Sequence, residues 1–298
     1  MRRFDQQGIE EKRDPFARVR RWADSLRHAN RLRLRPARLS DVPDLVEVDL
    51  RAFHHVYREY GKSPEELRAM LSASFEKRLS RLGPDWTPVL CDGDRVVGFL
   101  MGCRTSRSTA DFRTWDEMTD AGTLESTYDP DGRNLYIVTL SMLPSAASRA
   151  GQNMLFANQI SAIIRYDITE VFFESRLPGL RAWTVRQCRR DGRRIADLTS
   201  AELHAHAETY LTLTRTVNGR EVPQDHLLAI YHRVGARVVR LIENGYQDGQ
   251  SLNFGALCVL PNPMPDWAQR KPPLRALGGR GLGLASRSPL LMRKAFPD

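Results

Sequence analysis

Apolar residues along this chain recur with two different periods, and the alternation between them predicts a mixed α/β domain. Leu135 to Met142, Glu170 to Glu174 and Phe254 to Leu260 are dense β-type runs. Between them, Gln152 to Arg165 and Leu227 to Val234 carry apolar residues at helical spacing. Two helices, a hairpin and then strand–helix–strand–helix–strand form the predicted order of elements.

Local signals fix two elements in the first half of the chain. Ser63-Pro64-Glu65-Glu66 is a capping box with Pro at the first helical position, and it predicts a helix that runs to about Leu82. Asp92-Gly93 favours a tight turn between two apolar runs, and it therefore predicts a hairpin whose second strand begins at Arg95.

The predicted domain covers residues 31–260, with a basic extension at 1–30 and a basic tail at 261–298. The tail mixes Pro and Gly without a sustained period, which predicts an extended segment. Residues 176–224 are polar and irregular, and we interpret them as an insert with a helix from Ser200 to about Leu213.

The net charge of +9 is concentrated at the two ends of the chain. Residues 1–36 carry net +6 and residues 261–298 carry net +5, which leaves −2 for residues 37–260. The ends are therefore suited to a polyanionic partner, whereas the middle of the chain is nearly neutral.

Several classes of protein are disfavoured. No apolar run approaches the roughly 18 residues that cross a bilayer, and Met1 is followed by charged residues rather than by a signal sequence. The four cysteines lie far apart, which is typical of reduced thiols in the cytoplasm rather than of disulfides or a zinc site. His204 and His206 point to different faces of a helix without a third ligand nearby, so no metal is expected.

Three stretches are similar to the GNAT N-acyltransferase superfamily, over about residues 31–260. Residues 95–100 resemble its third strand, Leu143-Pro144 with 148–153 resembles its donor-binding turn, and 231–236 resemble its late Tyr-x-x-x-Gly segment. Residues 175–179 with 244–248 are also similar to a subgroup that occurs fused to nitrilase-like domains. The resemblance implies an α/β fold with a mixed, mostly antiparallel sheet, splayed central strands and flanking helices.

A donor site is predicted where the strand ending at Pro144 feeds the helix near Gly151. The unpaired N–H groups at the start of this helix and the positive end of its dipole are suited to bind a pyrophosphate. Gly151 would let the backbone approach the pyrophosphate closely, and Arg149 would supply a cation. The family pattern has Gln or Arg, Gly, and Gly or Ala where this chain has Ser148, Gly151 and Asn153. The predicted donor-binding residues are Leu140, Ser141, Met142, Arg149, Ala150, Gly151, Gln152 and Asn153.

Two residues are candidates for proton transfer. The resemblance implies that Tyr231, four residues before Gly235, protonates the leaving thiolate; the alternative is a tyrosine that packs its helix on the sheet. Glu174 ends an apolar strand, so its pKa is expected to be raised and it can accept the proton of an amine. The alternative for Glu174 is an ion pair with Arg176 or Arg181. Thr139 and Ser141 share a strand face and can orient the substrate.

The expected activity is transfer of an acyl group from a pantetheine thioester, such as acyl-CoA, to a primary amine on a small molecule or peptide. The degraded donor loop and the basic ends leave two alternatives open. One is a donor on an acyl-carrier protein or an aminoacyl-tRNA, and the other is a catalytically silent module that binds a ligand or nucleic acid. Acceptor specificity is expected in the insert at residues 176–224.

Overall fold

A seven-stranded sheet with the order β1-β2-β3-β4-β5-β9-β8 organises the structure, a computed structural model that describes residues 31–144, 149–245, 247–292 and 295–296. All neighbouring strands are antiparallel except β4 and β5, which are parallel. The strands are β1 Leu32–Pro36, β2 Pro88–Asp92, β3 Arg95–Thr105, β4 Asn134–Met142, β5 Glu170–Arg176, β8 Arg237–Glu243 and β9 Phe254–Pro261; a separate hairpin is formed by β6 Thr214–Val217 and β7 Arg220–Pro223.

Helices flank this sheet, and together with it they confirm the predicted fold class. They are α1 Val42–Ala52, α2 His54–Tyr57, α3 Pro64–Arg81, α4 Trp115–Thr119, α5 Arg149–Arg165, α6 Leu180–Arg190, α7 Ser200–Thr212, α8 His226–Arg233, α9 Asp266–Gln269, α10 Pro272–Ala285 and α11 Pro289–Met292.

The two parallel strands separate after a short paired stretch. β4 pairs with β5 only at Asn134–Tyr136, opposite Glu170–Phe172, whereas β5 stays paired with β9 along its whole length. The β3–β4 register shifts next to this point, where Met101 faces Thr139 but Gly102 faces Ile137. This bulge at Val138 bends β4 away from β5. The central strands are therefore splayed, as the resemblance implies.

The local signals read from the sequence have the predicted geometry. The Ser63 hydroxyl accepts the Glu66 N–H, and the Glu66 carboxylate accepts the Ser63 N–H, at the start of α3. Gly93 has a positive φ of 63° in the turn between β2 and β3, a conformation that favours glycine. Both local predictions are confirmed.

The expectation of an irregular insert is wrong for most of residues 176–224. This segment contains α6, α7 and the β6–β7 hairpin, because its few apolar residues are spaced to pack together. Leu180, Ala207 and Tyr210 are buried in a second core that also includes Phe173 and Leu228. The helix predicted from Ser200 is confirmed as α7, which begins with a capping box between Thr199 and Glu202.

The expectation of an extended C-terminal tail is also wrong. Residues 266–292 form α9, α10 and α11, and α10 and α11 pack on α5. Glycine makes this packing possible, because a Cβ on Gly279 would lie 2.4 Å from Arg165 Cγ and one on Gly283 would lie 2.7 Å from Ser161 Oγ. The Ser161 hydroxyl donates to the Gly279 carbonyl at 2.7 Å. The basic extension at residues 1–30 lies outside the described residues.

Two further sequence expectations concern the membrane and the thiols. Within the described residues, no helix combines the length and the apolar character that a membrane span needs. All four cysteines are buried free thiols.

Candidate functional site

A cavity of about 1270 Å³ opens where β4 and β5 separate. Helices on both faces of the sheet contribute residues to the cavity wall. The two faces can be told apart on β3, because neighbouring residues of a strand point to opposite faces. Gly102 lies against Gln159 of α5 on one face of the sheet. Its neighbour Met101 pairs with Thr139, and the Thr139 side chain is linked through Ser141 to Asp49 of α1 on the other face. Its wall includes Ile137, Val138, Thr139, Leu140 and Met142 of β4, Phe173 and Glu174 of β5, Gln152, Phe156, Gln159, Ile160 and Ile163 of α5, and Ile230, Tyr231 and Val234 of α8.

The edge of β4 that faces β5 has no strand partner from Ile137 onward. In a strand paired on one side only, alternate backbone N–H and C=O groups remain available to a ligand. The Val138 carbonyl, at the bulge, accepts a hydrogen bond from Trp115 Nε1 at 2.9 Å. The segment from Thr139 to Met142 therefore offers main-chain groups directly to the cavity.

Glu174 lies in the cavity wall without a counter-ion beside it. Both carboxylate oxygens are buried and have no hydrogen-bond partner among the described residues. The ion pair expected as an alternative does not form, because Arg176 binds Asp248 at 2.8 Å and Arg181 is directed to the Gly249 carbonyl. Burial raises the pKa of Glu174 to about 8, against a weaker opposing effect of the Arg240 charge.

Two glycines make the space in which the Glu174 carboxyl group lies. A Cβ on Gly245 would be 2.1 Å from one carboxylate oxygen, and a Cβ on Gly255 would be 2.2 Å from the same oxygen. Any side chain at either position would collide with the carboxyl group. The backbone is thus shaped around this side chain, which is typical of a residue held in a fixed position.

Tyr231 lies in the same cavity wall, on α8. Its ring makes edge contacts with Phe173 at 4.7 Å and Phe156 at 6.3 Å between centroids. Burial raises the pKa of the Tyr231 hydroxyl, so the group keeps its proton, and it makes no hydrogen bond with another described residue. The packing role left open by the sequence is therefore present, and the same cavity-wall residue carries a protonated hydroxyl.

A buried polar network on the other face of the sheet was missed by the sequence interpretation. Asp49, only 4% exposed, accepts hydrogen bonds from the Ser141 hydroxyl at 2.6 Å and the Tyr57 hydroxyl at 2.5 Å. Thr139 Oγ1 lies 3.2 Å from Ser141 Oγ and connects this network to the cavity. Burial raises the pKa of Asp49 in spite of these donors. Its position seven residues after buried Val42, on the apolar face of α1, was the available signal.

Arg78 is a buried cation whose charge acts on Asp49, and it also lies in the cavity wall. It is 4% exposed, its Nε donates to the Gly122 carbonyl at 2.6 Å, and its guanidinium lies over the Trp115 ring at 5.5 Å. Burial lowers the pKa of Arg78, while the charge of Asp49 raises it. The cavity wall thus contains a buried carboxyl group and a buried guanidinium at its α1–α3 side.

The structure distributes the predicted donor-binding residues unevenly. Leu140, Met142 and Gln152 lie in the cavity wall, whereas Ser141 turns toward Asp49. Ala150, Gly151 and Asn153 are buried in the first turns of α5. Asn153 is held by the Met292 carbonyl at 2.7 Å and by Arg233 at 3.2 Å, and Arg149 donates to the Phe296 carbonyl at 2.5 Å.

Other sequence candidates lie away from the cavity. Of the predicted insert at residues 176–224, Arg176 belongs to the described cavity wall, whereas residues 177–224 do not. The wall contains residues of α1, α3, α4 with its flanking segments, and the loop after β8. The expectation that this insert borders the cleft is therefore wrong for residues 177–224 and holds for Arg176 alone among its described residues. His204 pairs with Glu243, and His206 packs on the Trp183 ring. The described residues contain no group of three side chains suited to a metal ion.

Comparison with solved structures finds the same fold in two GNAT-like proteins. The loading GNATL domain of CurA from Lyngbya majuscula superposes with a TM-score of 0.56 at 14% identity, over 78% of this chain and 98% of that domain. The GNAT-like decarboxylase GphF, in complex with isobutyryl-CoA, gives a TM-score of 0.53 at 22% identity, over 77% of this chain and 99% of that protein. No family model and no curated protein matches the sequence.

These two comparisons show that the chain has a GNAT-like fold. At 14% and 22% identity, they establish the arrangement of strands and helices but not the role of any individual residue. The candidate site therefore depends on its own geometry: a large cavity at splayed strands, a main-chain edge without a partner, an unpaired buried carboxyl group and a protonated tyrosine.

Proposed function

We propose that this protein transfers an acyl group from a pantetheine thioester to a primary amine in the cavity between β4 and β5. The observation that carries the proposal is the Glu174 carboxyl group, which is buried in the cavity wall without a partner and has its pKa raised to about 8. A base with a pKa near neutrality is suited to take a proton from an ammonium or an attacking amine.

The donor would lie along the open edge of β4. Main-chain N–H groups between Leu140 and Met142 would stabilise the oxyanion that forms when the amine attacks the thioester carbonyl. Gln152 and Phe156, one turn apart on α5, would line the pantetheine arm. In GphF a protein of the same fold binds isobutyryl-CoA, which supports an acyl thioester as the ligand of this chain.

Two side chains transfer protons in the proposed reaction. The amine nitrogen forms a bond to the thioester carbon, and Glu174 takes one proton from that nitrogen. Collapse of the tetrahedral intermediate breaks the carbon–sulfur bond, and Tyr231 donates its proton to the departing thiolate. Burial raises the pKa of Tyr231, so the hydroxyl is protonated before the reaction begins. Return of one proton from Glu174 to the tyrosinate through solvent restores both side chains.

The test is a screen of acyl-CoAs against a panel of primary amines, with amide products followed by mass spectrometry. We expect Glu174→Gln to abolish most of the turnover while the donor still binds, because glutamine keeps the shape and removes the base. Glu170→Gln is the matched control, since Glu170 begins the same strand and its carboxylate accepts the Thr109 N–H outside the cavity. Absence of binding and turnover with every acyl-CoA would refute a coenzyme A donor.

The screen must also detect decarboxylation, because GphF is a decarboxylase with the same fold. A carboxyacyl-CoA that releases carbon dioxide without forming an amide would replace amine acylation as the activity of this cavity. A protein that binds acyl-CoA and never consumes it would instead be a silent binding module.

A second candidate donor, a pantetheine arm carried by an acyl-carrier protein, is favoured by one observation. Asn153 and Arg149, at the expected pyrophosphate site, are hydrogen-bonded to the Met292 and Phe296 carbonyls of the C-terminal segment. A carrier-bound arm needs the groove between the strands but no site for the adenine nucleotide. A higher kcat/KM with acyl-carrier protein than with the same acyl-CoA, falling steeply with salt, would favour it. An aminoacyl-tRNA donor is tested in the same assay.

A further inference from the structure

The cavity wall contains, besides Asp49 and Arg78, a further buried polar side chain that the proposed chemistry does not use. Gln159, in the middle of α5, is 3% exposed and belongs to the wall of the cavity. Its amide oxygen and its amide nitrogen are both buried, and neither has a hydrogen-bond partner among the described residues. A carboxamide carries both a donor and an acceptor, so both capacities are unused.

Gln159 lies near the point where β4 and β5 begin to separate. Its amide nitrogen is 3.1 Å from the place that a Cβ on Gly102 would occupy, and Gly102 pairs with Ile137, the first β4 residue beyond the β4–β5 pairing. Ile163 and Val171 complete this end of the cavity wall with apolar surface.

An unsatisfied buried amide is costly. Leaving a buried donor or acceptor without a partner costs about 1–3 kcal/mol, whereas a leucine of similar size would have no such cost. In a wall that is otherwise aliphatic at this end, packing alone does not account for a glutamine. A ligand group that bonds the amide would recover the cost.

The position of the amide relative to the proposed thioester indicates which part of a ligand reaches it. Ile137 is three residues before Leu140 along β4, which corresponds to about 10 Å at the rise of a strand. A pantetheine arm that enters past Gln152 and places its carbonyl near Leu140 would direct the acyl chain toward Gln159. The far end of the acyl group, rather than the amine, would therefore meet the amide.

We infer that the Gln159 end of the cavity is an acyl subsite that selects acyl groups bearing a hydrogen-bonding group, such as a hydroxyl, on the chain. The inference rests on the proposed acyl-thioester donor and specifies its acyl class. A hydroxyl matches the site because it donates to the amide oxygen or accepts from the amide nitrogen, while its carbon chain packs on Ile163 and Val171.

The test compares matched pairs of donors by isothermal titration on the full-length protein. Butyryl-CoA is compared with 3-hydroxybutyryl-CoA, and hexanoyl-CoA with 6-hydroxyhexanoyl-CoA, so that two chain lengths are sampled. We expect the hydroxylated member of at least one pair to bind about 3- to 10-fold more tightly, the range for one net hydrogen bond.

Gln159→Leu should remove this preference while plain acyl-CoA binds as well as before or better. Ile163→Leu is the matched control, since it reshapes the same subsite and keeps the amide, and it should change both members of a pair alike. The preference of the unmodified protein is measured without any variant, so poor folding of a variant would not decide the outcome.

Two results would overturn the inference, and they differ. Equal affinity within both pairs, or a preference that survives Gln159→Leu, would show that the amide is satisfied by water or by a side-chain movement while acyl-CoA binding stands. Failure of coenzyme A and of all four acyl-CoAs to bind would refute the coenzyme A donor itself, and the acyl subsite with it.

Discussion

At the scale of single residues, the raised pKa of Glu174 predicts how the proposed activity depends on pH. Its pKa is raised to about 8 by burial, and only the ionised form can accept a proton from the amine. We therefore expect kcat/KM to rise with pH through about 8 and to level off above it. In Glu174→Gln the residual rate should lose this rise. A wild-type profile that is flat between pH 6 and about 9 would contradict the assignment of Glu174 as the base.

The same carboxyl group predicts how stability changes with pH. Because its pKa is higher in the folded protein than the ordinary value of 4.5, the folded state holds a proton that the unfolded state releases. The contribution of this proton to stability is complete below about pH 4.5 and is lost as pH rises to about 8. Glu174→Gln should therefore raise the Tm above pH 8 by several degrees and leave it unchanged near pH 4. Thermal unfolding at both pH values, with Glu170→Gln beside it, measures the effect.

Tyr231 is tested by removing one oxygen atom. Tyr231→Phe keeps the edge contacts with Phe173 and Phe156 but removes the hydroxyl that we propose as the proton donor. We expect kcat to fall by about 100-fold, at the low end for a general acid, with little change in the KM of the donor. Tyr166→Phe is the control, since the exposed Tyr166 hydroxyl bonds Asp85 away from the cavity. Equal activity of the two variants would assign Tyr231 to packing alone.

The sequence predicted some residues of the site and missed others for a physical reason. Glu174 and Tyr231 lie at positions fixed by local features, namely the end of an apolar strand and the spacing before Gly235. Asp49 and Gln159 each lie on the buried face of a helix. A polar residue at such a position is noticeable, but its partners come from elements distant in sequence. Ser141, for example, is 92 residues from Asp49.

At the scale of elements, the packing of α10 on α5 makes opposite predictions for two neighbouring glycines. A Cβ on Gly279 would lie 2.4 Å from Arg165 Cγ and 3.0 Å from the Ser161 carbonyl, whereas one on Gly281 would meet nothing within 4 Å. Gly281→Ala should stabilise the protein by about 0.5–1 kcal/mol, because alanine is the better helix former. Gly279→Ala should destabilise it, because the helices must move apart. Urea unfolding of the two variants compares them, and equal shifts would contradict the close packing.

These glycines also explain why the C-terminal helices were not predicted. Four glycines and repeated prolines lower the helix propensity of residues 261–298, and the sequence shows no apolar period there. The helix exists because Gly279 and Gly283 allow close contact with Ser161, which is a tertiary interaction. The strands of the sheet and the capped helix α3 were predictable, by contrast, because their apolar runs and caps are local in sequence.

At the scale of the whole molecule, the structure shows where the basic C-terminal segment lies. The described helices of the C-terminal segment, residues 266–292, carry five basic and one acidic side chain, net +4, and α10 and α11 pack along α5, the helix that begins at the proposed donor site. The same segment hydrogen-bonds Arg149 and Asn153, so it would compete with a pyrophosphate at the proposed donor site for these side chains.

This competition predicts that loosening the segment strengthens the binding of coenzyme A. Met292 is 3% exposed and its neighbour Leu291 is 59% exposed, so Met292→Glu should displace the segment from α5 while Leu291→Glu should leave it in place. Release of two hydrogen-bonding side chains should tighten coenzyme A binding by about 10-fold, as measured by isothermal titration. Thermal unfolding verifies that both variants are folded. Unchanged or weaker binding by a folded Met292→Glu protein would show that the segment supports the donor site rather than competing for it.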